Sequence, residues 1–156
     1  MLAVVARVRG ARVEIDGETA GAIGRGFLVL LGVHKDDTEE DARYMADRLC
    51  GLRVFEDENG KMNLSPQNAG CPSLLIVSQF TLYGDTRQRR PAFIESARPD
   101  TAIPLYEKVI EFCRGEGFTV ETGRFGADMQ VFSQNDGPVT LLVDSASHTK
   151  GAKSHA

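Results

Sequence analysis

The sequence predicts a strand-rich α/β domain in which one sheet packs on another and two helices cover one outer side. Three observations carry this expectation. Runs such as "FLVLLGV" (27–33) and "SLLIV" (73–77) are apolar on both faces, so a layer must cover each side of them. Two other segments carry apolar residues at helical spacing. The chain has 156 residues, a length that suits one domain with a core of its own.

Residues 2–9 and 11–15 read as two short strands, and "GAIGRG" (21–26) as a turn. Phe27 to Val33 has buried-strand length. Thr38 is placed to N-cap a helix whose first turn, Glu39, Glu40 and Asp41, suits the positive end of the dipole. Ala42, Met45, Ala46 and Leu49 follow at i, i+3, i+4 and i+7 and predict one buried face, with Gly51 as the stop. "LRVFEDENGKMNL" (52–64) predicts a hairpin turning at Asn59-Gly60. "SLLIVSQF" (73–80) is a further buried strand, and 84–100 a polar, Arg-rich loop. A second helix is expected from about Asp100, with Pro104 in its first turn, Leu105, Val109, Phe112 and Cys113 on its apolar face, and its end at Gly115 or Gly117. Residues 118–145 read as three strands. Residues 1–145 thus make a single domain, and the small, polar stretch 146–156 a flexible C-terminal tail.

Charge and composition exclude several classes. The net charge is -4, so bulk attraction does not hold the chain to nucleic acid, and DNA is not an expected partner. Arg87, Arg89 and Arg90 form a local basic cluster, read either as a solvated loop or as a phosphate contact, since guanidinium groups match phosphate geometry. No apolar run reaches the roughly 18 residues of a membrane span. Cys50, Cys71 and Cys113 are odd in number, far apart and outside metal-ligand spacing. They predict core thiols in a reduced, cytoplasmic protein with no metal and no cofactor.

Two stretches carry candidate chemistry. In "SQFTLYGD" (78–85), a buried strand opens into hydroxyls, an amide and a carboxylate. Ser78 and Thr81 are either satisfied strand-end hydroxyls or nucleophiles in need of a base. The histidines are His34, His148 and His155; only His34 lies outside the tail, and no nucleophile-elbow spacing is present. "NDGPVT" (135–140) has the composition of a turn, and Gly-Pro before an apolar strand is also a place for a cis peptide. "GRFGADM" (123–129) puts Phe125 and Met129 four residues apart. On a strand both would share one face, either as core or as a soft surface for a planar base.

Taken together, "SQFT" and "NDGPVT" resemble the D-aminoacyl-tRNA deacylase family, enzymes that hydrolyse the ester between a D-amino acid and tRNA. The resemblance runs in order through "GFLVLLGV", "DDTEEDA", "RVFEDENGKMNLS", "VSQFTLYGDTR", "RRPAF", "ETGRFGADMQV" and "NDGPVTLLVDS" and covers about residues 1–145. It implies a three-layer β/β/α fold with two main helices and a homodimer acting on the acceptor end of aminoacyl-tRNA. Carried over by position, Ser78, Gln79, Phe80 and Thr81 match the catalytic pocket motif. Gly137 and Pro138 match a Gly-cisPro motif that enters the partner subunit's site and selects chirality. Arg7 matches an arginine that orients the Gly-Pro carbonyls, and Asn135 and Thr140 stand as further supports of that motif. Phe125 and Met129 match residues that flank the terminal adenosine. The family departs from this chain at Ala6, where glutamine is common, and at Gln88, in a loop that often reads Lys-Gly. The resemblance further implies attack by water assisted by the 2'-hydroxyl of the RNA, rejection of L-aminoacyl-tRNA by exclusion, and some action on glycyl-tRNA.

Overall fold

β1 (Leu2–Ile15) organises the molecule, because three strands pair with it. The computed structural model describes residues 1–149. β3 (Gly26–Gly32) pairs with the first half of β1 and β2 (Glu18–Ile23) with its second half, while β8 (Gln130–Asp144) runs antiparallel along its other edge. β6 (Ser73–Ser78) adds to β3 in parallel, and β7 (Thr119–Thr122) adds to β6 in parallel. Each parallel step needs a crossover, and the helices supply them. α1 (Glu39–Gly51) lies between β3 and β6, and α2 (Pro99–Gly115) between β6 and β7. β4 (Phe55–Glu56) and β5 (Met62–Leu64) form the small hairpin that follows α1.

Alternation along the central strands sorts the core into two clusters. Phe27, Val29 and Leu31 of β3 and Leu74 and Ile76 of β6 face the helices, where they meet Met45, Leu49, Val109 and Cys113. Leu28, Leu75 and Val77 face the other way and pack with Val8, Ala11 and Val13 of β1. Both faces of the β3–β6 pair are therefore covered, as their continuous apolar runs require. The result is the expected three layers. β2 closes onto β7 at Gly21, where a Cβ would stand 2.4 Å from the carbonyl oxygen of Thr122.

α1 begins at Thr38 with a capping box, the Thr38 N–H donating to Asp41 Oδ2 at 2.9 Å. Its buried face is the expected one, Ala42, Met45, Ala46 and Leu49, joined by Asp41. Burial opposes ionisation of Asp41, but the Thr38 backbone, the Ser145 hydroxyl and the Met1 ammonium outweigh it and hold the carboxyl below its ordinary value. Ser145 Oγ donates to Asp41 Oδ1 at 2.7 Å and so ties the end of β8 to α1. All three cysteines are free thiols, with Cys71 and Cys113 buried.

Four expectations are corrected. Residues 2–15 are one strand rather than two. The β1–β8 register slips between Val8 and Gly10, and this bulge turns Ala11 and Val13 to the same side as Val8 despite the odd spacing. β2 occupies the first half of the segment read as a turn, residues 21–23; a further tight turn comes earlier, at Asp16 (φ 52°) and Gly17 (φ 80°). Pro99 takes the first turn of α2, and Pro104 lies deeper inside the helix. The last third holds two strands, β7 and β8, because the Gly-Pro segment interrupts the ladder without ending the strand. The expected tail falls largely outside the described residues; its first four, Ala146–Thr149, form the short helix α3.

Candidate active site

β6 ends where polar residues begin. Ser78 is the last residue in register with β3, opposite Leu31, and the Gln79 N–H donates to the Leu31 carbonyl at 2.8 Å. The chain then tightens into a single 3-10 turn, Phe80–Tyr83, closed by Leu82 N–H to Gln79 and Gly84 N–H to Thr81. The first N–H groups of such a turn have no acceptor within it. Ser96 Oγ donates to the Phe80 carbonyl at 2.8 Å and pins the turn to the loop before α2.

Within the turn, the Gln79 side-chain amide donates to the Thr81 hydroxyl oxygen. His34 is engaged elsewhere. Its Nε2 lies 2.9 Å from Glu95 Oε2, and its ring meets Tyr83 edge-on at 5.2 Å. Among the described residues no histidine is hydrogen-bonded to Ser78 or Thr81, so no Ser-His-Asp arrangement is assembled. Phe80 (56% exposed) stacks edge-on with Phe93 at 5.2 Å, next to the exposed Ile94. Sequence reasoning missed Phe93, Ile94 and Ser96 as neighbours of the turn. Only Phe93 had a signal, as the last residue of the resemblance segment "RRPAF", since no local pattern brings residue 93 to residue 80.

The basic cluster divides. Asp85 and Ala92 exchange backbone hydrogen bonds and close the loop between them. Arg87 forks onto the Asp85 carboxylate, with contacts of 3.0 and 2.6 Å, and this pairing pulls the Asp85 pKa down to about 2. Arg89 and Arg90 make no ion pair among the described residues. Arg90 lines a cleft of about 540 Å³ with Arg87 and Gln88.

The second motif forms a protruding bulge. β8 is in register with β1 at Asn135 and again at Thr140, and the four residues between them leave the ladder. The Gly137-Pro138 peptide is cis. Asn135 Nδ2 spans the base of the bulge, donating to the Arg7 carbonyl at 3.0 Å and the Val139 carbonyl at 3.1 Å. Thr140 Oγ1 donates to Asn135 Oδ1 at 3.5 Å. Buried Arg7 donates from Nε to the Asp136 carbonyl at 3.2 Å and from Nη1 to the Val54 carbonyl. The arginine therefore grips the residue before the Gly-Pro pair rather than the carbonyls of the pair itself. Gly137 has φ 122°, and a Cβ there would stand 2.8 Å from Arg7 Nη2. Both Gly137 and Pro138 are exposed.

Among the described residues no hydrogen bond or ion pair joins Ser78–Thr81 to Gly137-Pro138 within one chain. Phe125 and Met129 lie in the turn between β7 and β8, not on a strand, and they diverge. Phe125 packs with the helix-side cluster, its ring 6.4 Å from that of Tyr106, and Met129 packs with the opposite cluster. The expectation of a shared strand face is corrected, because a turn with Gly126 at φ 75° separates them.

Residues 4–144 match the model of the family described as D-Tyr-tRNA(Tyr) deacylase. A protein of Thermosipho africanus named D-aminoacyl-tRNA deacylase is 58% identical over 146 residues, 93% of this chain and 97% of the relative. One of the same name from Symbiobacterium thermophilum is 57% identical over 144 residues, 92% and 95% of the two chains. A solved structure titled c-Myc DNA Unwinding Element Binding Protein is 40% identical, with a TM-score of 0.86 over 92% of this chain and 98% of its own. Another, titled as a probable eukaryotic D-amino acid tRNA deacylase, is 20% identical with a TM-score of 0.76 over 91% and 97%, a likeness of fold alone.

Proposed function

The chain belongs to the D-Tyr-tRNA(Tyr) deacylase family, and on that premise we propose that it is a chiral proofreading hydrolase, cleaving D-aminoacyl-tRNA to free amino acid and tRNA while sparing the L-form. The observation that carries this reading is the Gly137-Pro138 bulge, exposed at its tip and fixed at its base by Arg7 and Asn135. A rigid wall of main-chain atoms selects handedness without selecting a side chain. Its carbonyls accept from the substrate ammonium and leave no room for an L-side chain. Glycine lacks a side chain to exclude, so glycyl-tRNA is a substrate in this reading.

The wall works in trans. Among the described residues β8 pairs with β1 alone, and it carries exposed Val131, Phe132, Leu141 and Leu142, an apolar surface suited to a second copy of the chain. In the homodimer each bulge enters the partner's Ser78–Thr81 pocket. The exposed Phe80 and Phe93 rings wall the aminoacyl end, and the β7–β8 turn that carries Phe125 and Met129 receives the terminal adenosine.

An aminoacyl ester is already activated, so positioning and charge stabilisation supply most of what the reaction needs. Water attacks the ester carbonyl, assisted by the neighbouring 2'-hydroxyl. The N–H groups of Phe80 and Thr81 stabilise the oxyanion, the acyl C–O bond breaks, and the proton passes to the ribose 3'-oxygen. Thr81 is not the nucleophile in this scheme. Its oxygen accepts from Gln79, and among the described residues no base is hydrogen-bonded to it. Among the described residues no helix is long and apolar enough to cross a membrane, and the proposed place of action is the cytoplasm, where charged tRNA is used. Deacylation of matched D- and L-tyrosyl-tRNA tests the proposal. Cleavage of the D-ester alone is expected, and equal rates on both would end the chirality argument.

A further inference from the structure

We propose that Arg9 and Arg25 bind a phosphate of the substrate's RNA strand, in a pocket at the foot of the Gly137-Pro138 bulge. The proposal deepens the deacylase reading and rests on it, because the bulge is what brings this pocket to a partner subunit's substrate. The pocket has a volume of about 220 Å³ and is lined by Arg7, Arg9, Arg25, Phe55, Glu56 and Asp136. Its floor is the buried Phe55 ring, with the Arg7 and Arg25 guanidinium carbons 5.9 and 5.6 Å from the ring centroid.

The three cations are not equally free. Arg7 is buried and committed to two backbone carbonyls. The Asp136 carboxylate lies between Arg7 Nε at 3.5 Å and Arg9 Nε at 3.4 Å, so it is already shared by two cations. Arg9 is 67% exposed and among the described residues pairs with Asp136 alone. Arg25 is exposed and forms no ion pair among the described residues. Three guanidinium groups against two carboxylates leave the pocket positive on a chain whose net charge is -4. A polyanion is repelled by most of such a surface and is held where cations are left unpaired. Guanidinium forks match phosphate oxygens in shape as well as charge.

Position decides in favour of an RNA strand. Asp136, whose carboxylate lines the pocket, is bonded in sequence to Gly137. A strand that delivers its 3'-ester to a site walled by Gly137 and Pro138 must bring its last phosphodiesters past the same bulge. The pocket then reads the strand in trans, from the subunit that does not supply Ser78–Thr81.

Arg9→Gln with Arg25→Gln tests this, since both side chains are exposed and their loss leaves the core intact. The double variant is expected to lose about tenfold in kcat/KM on D-tyrosyl-tRNA, through KM, with a salt slope shallower by about one to two. On 3'-D-tyrosyl-adenosine, which has no phosphodiester, the loss is expected to stay below about twofold. Equal losses on both substrates, or an unchanged KM and salt slope on tRNA, would overturn the phosphate site. Fluorescence anisotropy with uncharged tRNA separates the two proposals. If wild-type protein fails to cleave D-tyrosyl-tRNA yet binds tRNA more tightly than the double variant, the deacylase reading fails and the phosphate contact stands.

Discussion

Gly137 is packed against Arg7 so closely that a methyl group on Gly137 would come within 2.8 Å of the guanidinium Nη2. The same methyl would meet Val139 Cγ2 at 2.9 Å, and φ 122° is itself a backbone position that L-residues avoid. Gly137→Ala should therefore displace the bulge. A shift on the order of 1 Å at a positioning element costs about 10²-fold in rate. D-tyrosyl-tRNA deacylation should fall by about that factor, while the circular dichroism spectrum keeps its native shape.

Arg7→Lys isolates the grip on the bulge from its charge. A lysine ammonium is a point donor and cannot serve the Asp136 and Val54 carbonyls from two nitrogens of a planar fork. One part-buried carbonyl loses its donor, at a cost of about 1 kcal/mol. A lowered thermal midpoint with reduced deacylation is expected. Native stability and rate in the lysine variant would mean that charge alone fixes Asp136.

Thr81→Ala asks whether the threonine does covalent chemistry. Its hydroxyl accepts from the Gln79 amide, and among the described residues it is hydrogen-bonded to no base. The variant should keep deacylation within about tenfold of wild type, whereas loss of a true nucleophile removes nearly all of it. Acid quenching should trap no acylated protein with either form. A trapped aminoacyl adduct on wild type would reinstate the covalent route.

Asp41 links α1 to the end of β8 through Ser145. Its folded pKa lies below the ordinary value. A depressed carboxylate adds stability that is fully present above the unfolded pKa and is lost as pH falls through the folded one. Asp41→Asn should lower stability at pH 7 by about 1–3 kcal/mol, and the gap from wild type should narrow under acid. Urea midpoints at pH 7 and pH 3 measure both parts. A gap that widens in acid would reverse the sign.

Elements set by local chemistry were legible in the sequence. The Thr38 cap and the spacing from Ala42 to Leu49 define α1, and the Asn59-Gly60 turn defines the β4–β5 hairpin, with Gly60 at φ 71°. Elements interrupted by bulges were not. The slips in β1 and the excursion in β8 break period-two alternation, so each long strand read as two. β2 was hidden because "ETAGAI" has a single large apolar side chain, Ile23, and its pairing is set by Asp16-Gly17. The two candidate motifs were legible as residues. Their support was less so, since Arg7, Val54 and Asn135 come together only through strand pairing between distant segments.

The proposed site is split between two chains, and subunit mixing tests that directly. Thr81 is exposed, so Thr81→Trp can fill the pocket without entering the core. Gly137→Ala damages the bulge of its own chain. Each homodimer should be nearly inactive. In a heterodimer of the two, one site combines the filled pocket with the displaced bulge, and the other combines a native pocket with a native bulge. Random re-association of equal amounts makes about half the dimers mixed, so about a quarter of all sites should regain activity. Recovery near that fraction requires the bulge to act in trans. No recovery, in a mixture whose heterodimer is seen by native mass spectrometry, would place each bulge at its own chain's pocket.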